Sequence, residues 1–511
     1  MIGYNFPFTH KHFKPVPFAD PELPRVYIDT TYVTPSGSTI VVGDGGDFQA
    51  ALNSANPGDI ITLNAGSVYT GNFSLPVKSG SSYIYIRSSA SLTTEGTRVT
   101  TGDLTGFPKI ATANTAATIQ AEAGAHHYRF INCDIKSGAT ATNGGLVCLG
   151  TGSETNANNF PHHIILDRCG VRGSSVNGGR RGVMFAGSHQ AVIDSYVSDW
   201  KEVGADTQAI AGWTGLGPYK IVNNYLEGAG ENVLFGGADA AIHNLTPSDI
   251  EIRNNLLFKP LTWKIDDPSY LGTHWTVKNS LELKHAKRVL VSDNIVENCW
   301  ADAQTGYAVL FTVRNQSGTN PWATVSDVSF LRNTIRNSYN GINMLGQDTE
   351  SGVPSDFAQR LCIQRNLIYD IDVNPFLLIN GYQDINIDHN TILNSGDTMI
   401  LSAAPCPRMR FTNNIVQHNQ YGIKGDGQNS GTPSINTYLP NSVISKNVFA
   451  TPVDQGWGPF YPAGNYFPDT LAEVGFVTLS GYADLRLTNI SPYHNAATDG
   501  GDIGANMPTP V

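Results

Sequence analysis

The chain has 511 residues, 40% of them apolar and only 15% charged, with 52 glycines and a formal net charge of −11. The negative balance argues against nucleic acid and anionic membrane surfaces as partners, and no apolar run is long enough to span a bilayer. Such a length usually implies several domains, but a stacked solenoid can extend as one.

Met1–Phe8 (MIGYNFPF) lacks the basic segment and apolar core of a secretory signal. Either a signal preceded it and was removed, or export occurs otherwise, as by assembly into a phage particle. Residues 1–40 are rich in Pro and aromatics and read as an extended arm. Gly45–Ala55 (GGDFQAALNSA) predicts a short helix capped by Asp47, with Phe48, Ala51 and Leu52 on one face. Asn56, Pro57 and Gly58 end it, and a strand follows at Ile60–Leu63. This helix is expected to close one end of a solenoid.

A repeat then governs the chain from 41 to 450. Tyr219–Leu226 (YKIVNNYL), Ile250–Leu257 (IEIRNNLL) and Val289–Val296 (VLVSDNIV) open a run of eight such segments. Each is a near-alternating apolar stretch, a polar pair ending in Asn, then a further mostly apolar pair. The reference residues are Asn224, Asn255, Asn294, Asn333, Asn366, Asn390, Asn414 and Asn447, separated by 24 to 39 residues. A short minimum with variable additions predicts stacked β-coils with variable loops. Stacked Asn side chains form a ladder, and Asn also suits a left-handed bend. Cys133, Cys169 and Ser195 hold the slot in earlier coils, and Tyr83–Ala90 reads as the first full coil. A second strand column is expected at Asn232–Gly237, Asn279–Lys284, Ala308–Val313 and their later equivalents, with a third face carried by the variable stretches. The six Cys show no CxxC or zinc-like spacing, so free buried thiols are expected. Residues 451–511 lose the repeat and read as the opposite cap.

The segments FQAALNSANPGDIITL (Phe48–Leu63), the IxIxxNxI coils and TDGGDIGA (Thr498–Ala505) resemble right-handed parallel β-helix proteins of the pectin-lyase-like superfamily. Gly228–Asp239 and Trp275–Gln316 resemble a bacterial or phage branch of it. The resemblance implies an all-β, single-stranded right-handed parallel β-helix, but it spans lyases, hydrolases, epimerases, tailspikes and adhesins, so it leaves the activity open. The WIDH-like segment of pectate lyases and the NTD, GHG and RIK segments of polygalacturonases are absent.

Charged and amide residues concentrate between 200 and 316, in the second strand column of four successive coils. They are Asp206 and Gln208, then Glu231 and Asn232, then Glu282, Lys284 and His285, then Arg314, Asn315 and Gln316. If the register holds, they form one patch. The insertion Phe258–Val277 brings Trp263, Tyr270 and Trp275, rings suited to stacking on sugars or to packing the loop itself. Three functions follow. In β-elimination, which needs a base and a charge stabiliser, Lys284 would be the base and Arg314 the stabiliser or proton donor. This arrangement is similar to calcium-assisted β-helix lyases, with Glu231, Glu282 and Asp206 as Ca²⁺ ligands. It departs from those enzymes in the Glu282–Lys284 spacing and in the lack of a His after Arg314. In hydrolysis, Glu231 with Glu282, or Asp206 with Glu282, would be the carboxylate pair. In the non-enzymatic case the chain binds glycans as a tailspike or adhesin, where a homotrimer would be plausible. The expected partner is a polysaccharide met outside the cell, at a cell surface or from a virion. Gln208, Asn232, Trp263, Trp275, Asn315 and Asp206 are the expected substrate contacts.

Overall fold

The computed structural model describes residues 18–138, 144–452 and 456–510. Among these, the chain winds as a right-handed parallel β-helix with three long sheets of fourteen, thirteen and twelve strands. One coil shows the plan. Tyr219–Val222 lies in the first sheet, Tyr225–Gly228 in the second and Glu231–Phe235 in the third, before the chain returns to the first at Ser248–Arg253. The column expected directly after the Asn turn is therefore the third sheet. A short sheet of three- to five-residue strands, absent from the sequence reading, intervenes.

Each rung places like on like. In the first sheet Val192, Ile221, Ile252, Val291, Phe330 and Ile363 pair in register and are fully buried. Each such side chain withdrawn from water contributes roughly 1.5–3 kcal/mol.

The Asn ladder forms as expected. Asn294 Nδ2 donates to Asn333 Oδ1 at 2.9 Å, and the Asn294 backbone N–H donates to the same oxygen at 3.0 Å. The amide also donates to the Ile252 carbonyl at 2.9 Å, one coil back. The pattern continues to Asn447, which donates to Asn465. The left-handed bend lies one position earlier than expected. It falls on Asn223, Asn254, Asp293, Arg332, Arg365, His389, Asn413 and Lys446, with φ between 51° and 59°. For Arg332 or Lys446 that backbone costs about 1–2 kcal/mol. The ladder bonds of the next residue hold the bend in place.

The helix Phe48–Ser54 is capped by Asp47, which accepts from Ala50 N at 2.9 Å. Its Phe48 packs on Phe73 at 4.7 Å between ring centroids. The first sheet begins at Thr39–Val42, two strands before the coil read as first. Residues 18–38 run extended across the outer face of that sheet. Phe18 meets Arg410, the Glu22 N–H meets Asp327, Arg25 N meets Asp249, and the Ile28 carbonyl meets Lys220. The six cysteines are free and buried. Tyr461 and Phe467, beyond 456, join His418 and Phe449 of the last coils in an aromatic cluster that covers the end of the core. The last residues return along the second sheet, where Gly504 N reaches the Asn413 carbonyl at 2.8 Å.

Candidate functional site

The third sheet and the turns after its strands bring Glu282, Lys284 and Arg314 of the predicted polar residues to one cleft. Gln208 pairs with Glu231, and Glu282 lies between Leu234 and Leu310 on adjacent coils. Lys284 N donates to the Phe235 carbonyl at 2.7 Å, and Arg314 N donates to the Lys284 carbonyl at 2.9 Å. Gly236 permits the first of these approaches, since a Cβ there would stand 2.5 Å from His285 N.

Glu282, Lys284 and Arg314 line a cleft of about 250 Å³, together with Asn279, Gln304, Thr305, Tyr307, Leu310, Thr312 and Asn343. Lys284 Nζ stands 3.5 Å from Glu282 Oε1, and Asn279 Nδ2 donates to Glu282 Oε2 at 3.3 Å and to Gln304 Oε1 at 2.9 Å. Arg314 faces Asp348 at 3.5 Å and Glu350 at 3.0 Å. The Glu350 side chain is 79% exposed, so that pair is weak and exchangeable.

Glu231 sits behind this wall and is buried. It accepts from Gln208 Nε2 at 2.7 Å. Burial, and then the Glu282 charge, push its carboxyl up to about 7, against the Gln208 hydrogen bond and the Lys284 charge. The Gly228–Gly230 turn before it is held by Lys259, whose buried ammonium donates to all three carbonyls at 2.6, 2.9 and 3.1 Å.

Other expected residues take different places. Asp206 pairs with Lys278 at 2.5 Å, at the edge of the site. Asn232 is buried and donates to the Leu226 and Phe258 carbonyls, so it supports the coil and cannot meet a ligand. Asn315 is buried in the following turn, where it donates to the Val353 carbonyl and accepts from Asn320 N. His285 is pinned between the Leu245 carbonyl and Thr324 N. Trp263 and Trp275 are 3% and 8% exposed and flank Lys201, whose Nζ lies 5.2 and 5.3 Å from the two rings. They anchor the insertion to the body and offer no face to a sugar. The calcium set does not assemble in this arrangement. Gln208 engages Glu231, Lys284 stands against Glu282, and Lys278 holds Asp206. Nor do three of their carboxylate oxygens lie within 4.8 Å of one another.

Lys278, Asn279, Gln304, Tyr307 and Asn343 were not singled out in the sequence. Tyr307 and Asn343 occupy strand positions one and two coils on. Extending the charged column to tyrosine and amides would have found them. Lys278 and Gln304 lie in connections, where spacing carries no register.

No family model matches the chain, and no curated protein sequence matches it. Several solved structures are similar in fold. A GH87 α-1,3-glucanase catalytic unit from Streptomyces thermodiastaticus is 12% identical, with a TM-score of 0.47 over 86% of this chain and 71% of that one. The PL6-family alginate lyase AlyGC is 12% identical, with a TM-score of 0.47 over 93% and 59%. The Dettilon tailspike protein is 13% identical, with a TM-score of 0.40 over 84% and 68%.

Proposed function

We propose that this β-helix cleaves an acidic polysaccharide by β-elimination in the third-sheet cleft. One observation carries the proposal: Lys284 and Arg314, on adjacent coils, are partly exposed beside the same cleft, with Glu282 as its floor. Elimination from a uronate removes the proton beside the carboxylate and expels the glycosidic oxygen on the neighbouring carbon. A substrate carboxylate would displace Glu350 from Arg314 and pair with the guanidinium, which would stabilise charge as the proton leaves. Lys284, in its neutral form, would take that proton. Asn279, Gln304 and Asn343 would donate to hydroxyls, and Tyr307, which also lines the cleft, would protonate the leaving oxygen.

Hydrolysis is the second reading, favoured by the raised carboxyl of Glu231 beside Glu282. A carboxyl with raised proton affinity beside a second carboxyl is what a glycosidase uses as acid and partner. The burial of Glu231 weighs against it. The substrate would be met outside the cell, at a cell surface or from a virion.

Incubation with a panel of acidic and neutral polysaccharides tests the proposal. Ultraviolet absorbance from new unsaturated ends is the expected result. Reducing ends without that absorbance would establish hydrolysis, and retention without cleavage would establish a glycan-binding protein.

A further inference from the structure

A histidine cluster lies on the outer face of the first sheet, on different coils from the cleft. His126 and His127 open one strand, His162 and His163 open the next, and His189 follows on the third. Register pairs His162 with His126. The rings stack: His126 on His162 at 4.7 Å, His127 on His163 at 4.5 Å, and His163 on His189 at 4.3 Å, all within 9° of parallel.

We propose that His126, His127 and His162 bind one divalent transition-metal ion of the imidazole-preferring class, Cu²⁺, Ni²⁺ or Zn²⁺, tying two adjacent coils together. Three observations support the site. First, one ring nitrogen from each of the three lies within 4.8 Å of the other two, and all three residues are half-buried and reachable from solvent. Second, His126 Nδ1 and His127 Nδ1 stand 2.8 Å apart. Two nitrogens bound to one metal at about 2.0–2.1 Å are separated by about 3.0–3.4 Å, so only small ring movements are needed. The proton that one ring now shares moves to that ring's own Nε2, a tautomer change with no net loss of charge. Third, the same strand position further along the sheet carries ion pairs instead. Asp249 pairs with Arg288, Asp327 with Arg360, and Asp384 with Arg408, at 2.5 to 2.7 Å. The histidine segment of that column instead has ring against ring.

The chain without any affinity tag is titrated calorimetrically with Cu²⁺, Ni²⁺ or Zn²⁺ alone, and with Ca²⁺ as a hard-cation control. One transition-metal ion per chain and a higher melting temperature are expected. Paramagnetic resonance of the Cu²⁺ form should show coupling to several nitrogens. His126→Gln and His127→Asn should each weaken binding by at least about tenfold; Asn suits the left-handed backbone at 127, where φ is 59°. Glu282→Gln should leave binding unchanged, which separates this site from the cleft. Absence of binding, an all-oxygen Cu²⁺ spectrum, equal Ca²⁺ affinity, or full retention in both folded histidine variants would overturn the proposal. The resonance spectrum decides the matter if either variant fails to fold.

Discussion

Arg314 donates its backbone N–H to the carbonyl of Lys284 across 2.9 Å, so two cations thirty residues apart in sequence stand on neighbouring rungs of one sheet. Nothing in their local sequences links them. The constant pitch of the coils does, whereas Glu282 stands 3.5 Å from Lys284 because the two are only two residues apart on one coil.

Lys284→Ala and Arg314→Ala should each lower kcat/KM on a cleavable acidic polysaccharide by about 100-fold or more, the contribution of one positioned acid or base. Both side chains reach the cleft surface, so melting temperatures should move little. If both variants kept near-native rates, elimination in this cleft would be excluded.

Asn333→Ala tests the ladder. The side chain accepts from the backbone and amide of Asn294 and donates to Asn366 Oδ1 and the Val291 carbonyl. Truncation leaves buried donors and acceptors unmatched on both neighbours. A loss of about 2–4 kcal/mol is expected, since each orphaned buried polar group costs about 1–3 kcal/mol. Chemical denaturation measures it, and a change below about 1 kcal/mol, less than one such orphaned group costs, would show that water replaces the ladder.

Much of the architecture could be read from the chain because like residues recur at like turns. The Asn column, the Asp47-capped helix and the third-sheet strands announce themselves by spacing. The second sheet did not, because strands such as Leu256–Phe258 are too short to show alternation after the Asn. The left-handed bend falls one residue before the position the sequence points to, because Asn suits both the bend and the ladder, and only the φ of residues such as Arg332 and Lys446 separates the two roles. At the site, Glu282 and Lys284 were legible because they lie on or beside a strand in register. Trp263 and Trp275 were not, because a ring in a loop can face water or the body, and Lys201 between them decides it.

A chelator should leave cleavage of the acidic polysaccharide unchanged, because Lys278, Lys284 and Gln208 already engage the three acidic side chains a calcium ion would need. Rates measured with and without excess chelator check this. Loss of activity restored by Ca²⁺ alone would show that substrate rearranges the acids into a cation site.

Trp275→Ala should separate packing from recognition. Trp275 and Trp263 sandwich Lys201, which also pairs with Asp199 at 2.8 Å. Removing the ring should cost about 3–5 kcal/mol as a buried aromatic truncation and loosen the insertion, seen as faster proteolysis within 258–277. KM at a temperature where the variant stays folded should change less than threefold. A large rise in KM with unchanged stability would mean the ring meets substrate.

The contributions of Glu231 and Glu227 to stability should fall as pH rises from about 4.5 to about 7, opposite in sign to that of the histidines whose proton affinity burial lowers, such as His127. Glu231 is raised from the ordinary glutamate value to about 7 by burial and by Glu282, and Glu227 to about 7 by burial and by Asp199. A carboxyl raised in the folded state holds its proton more tightly there than in the unfolded chain. Its stabilising contribution is therefore complete below the unfolded value and lost as pH climbs through the folded one. For Glu231 the loss is at most about 3 kcal/mol, because each tenfold gain in proton affinity on folding corresponds to about 1.4 kcal/mol. Glu231→Gln keeps the shape, cannot ionise, and can still meet Gln208. Relative to the native chain its stability should rise between pH 5 and pH 8, with the gain concentrated at pH 8. Denaturation at the two pH values measures both slopes. Equal slopes would mean that Glu231 is ionised throughout, and would remove the support for hydrolysis that rests on its proton.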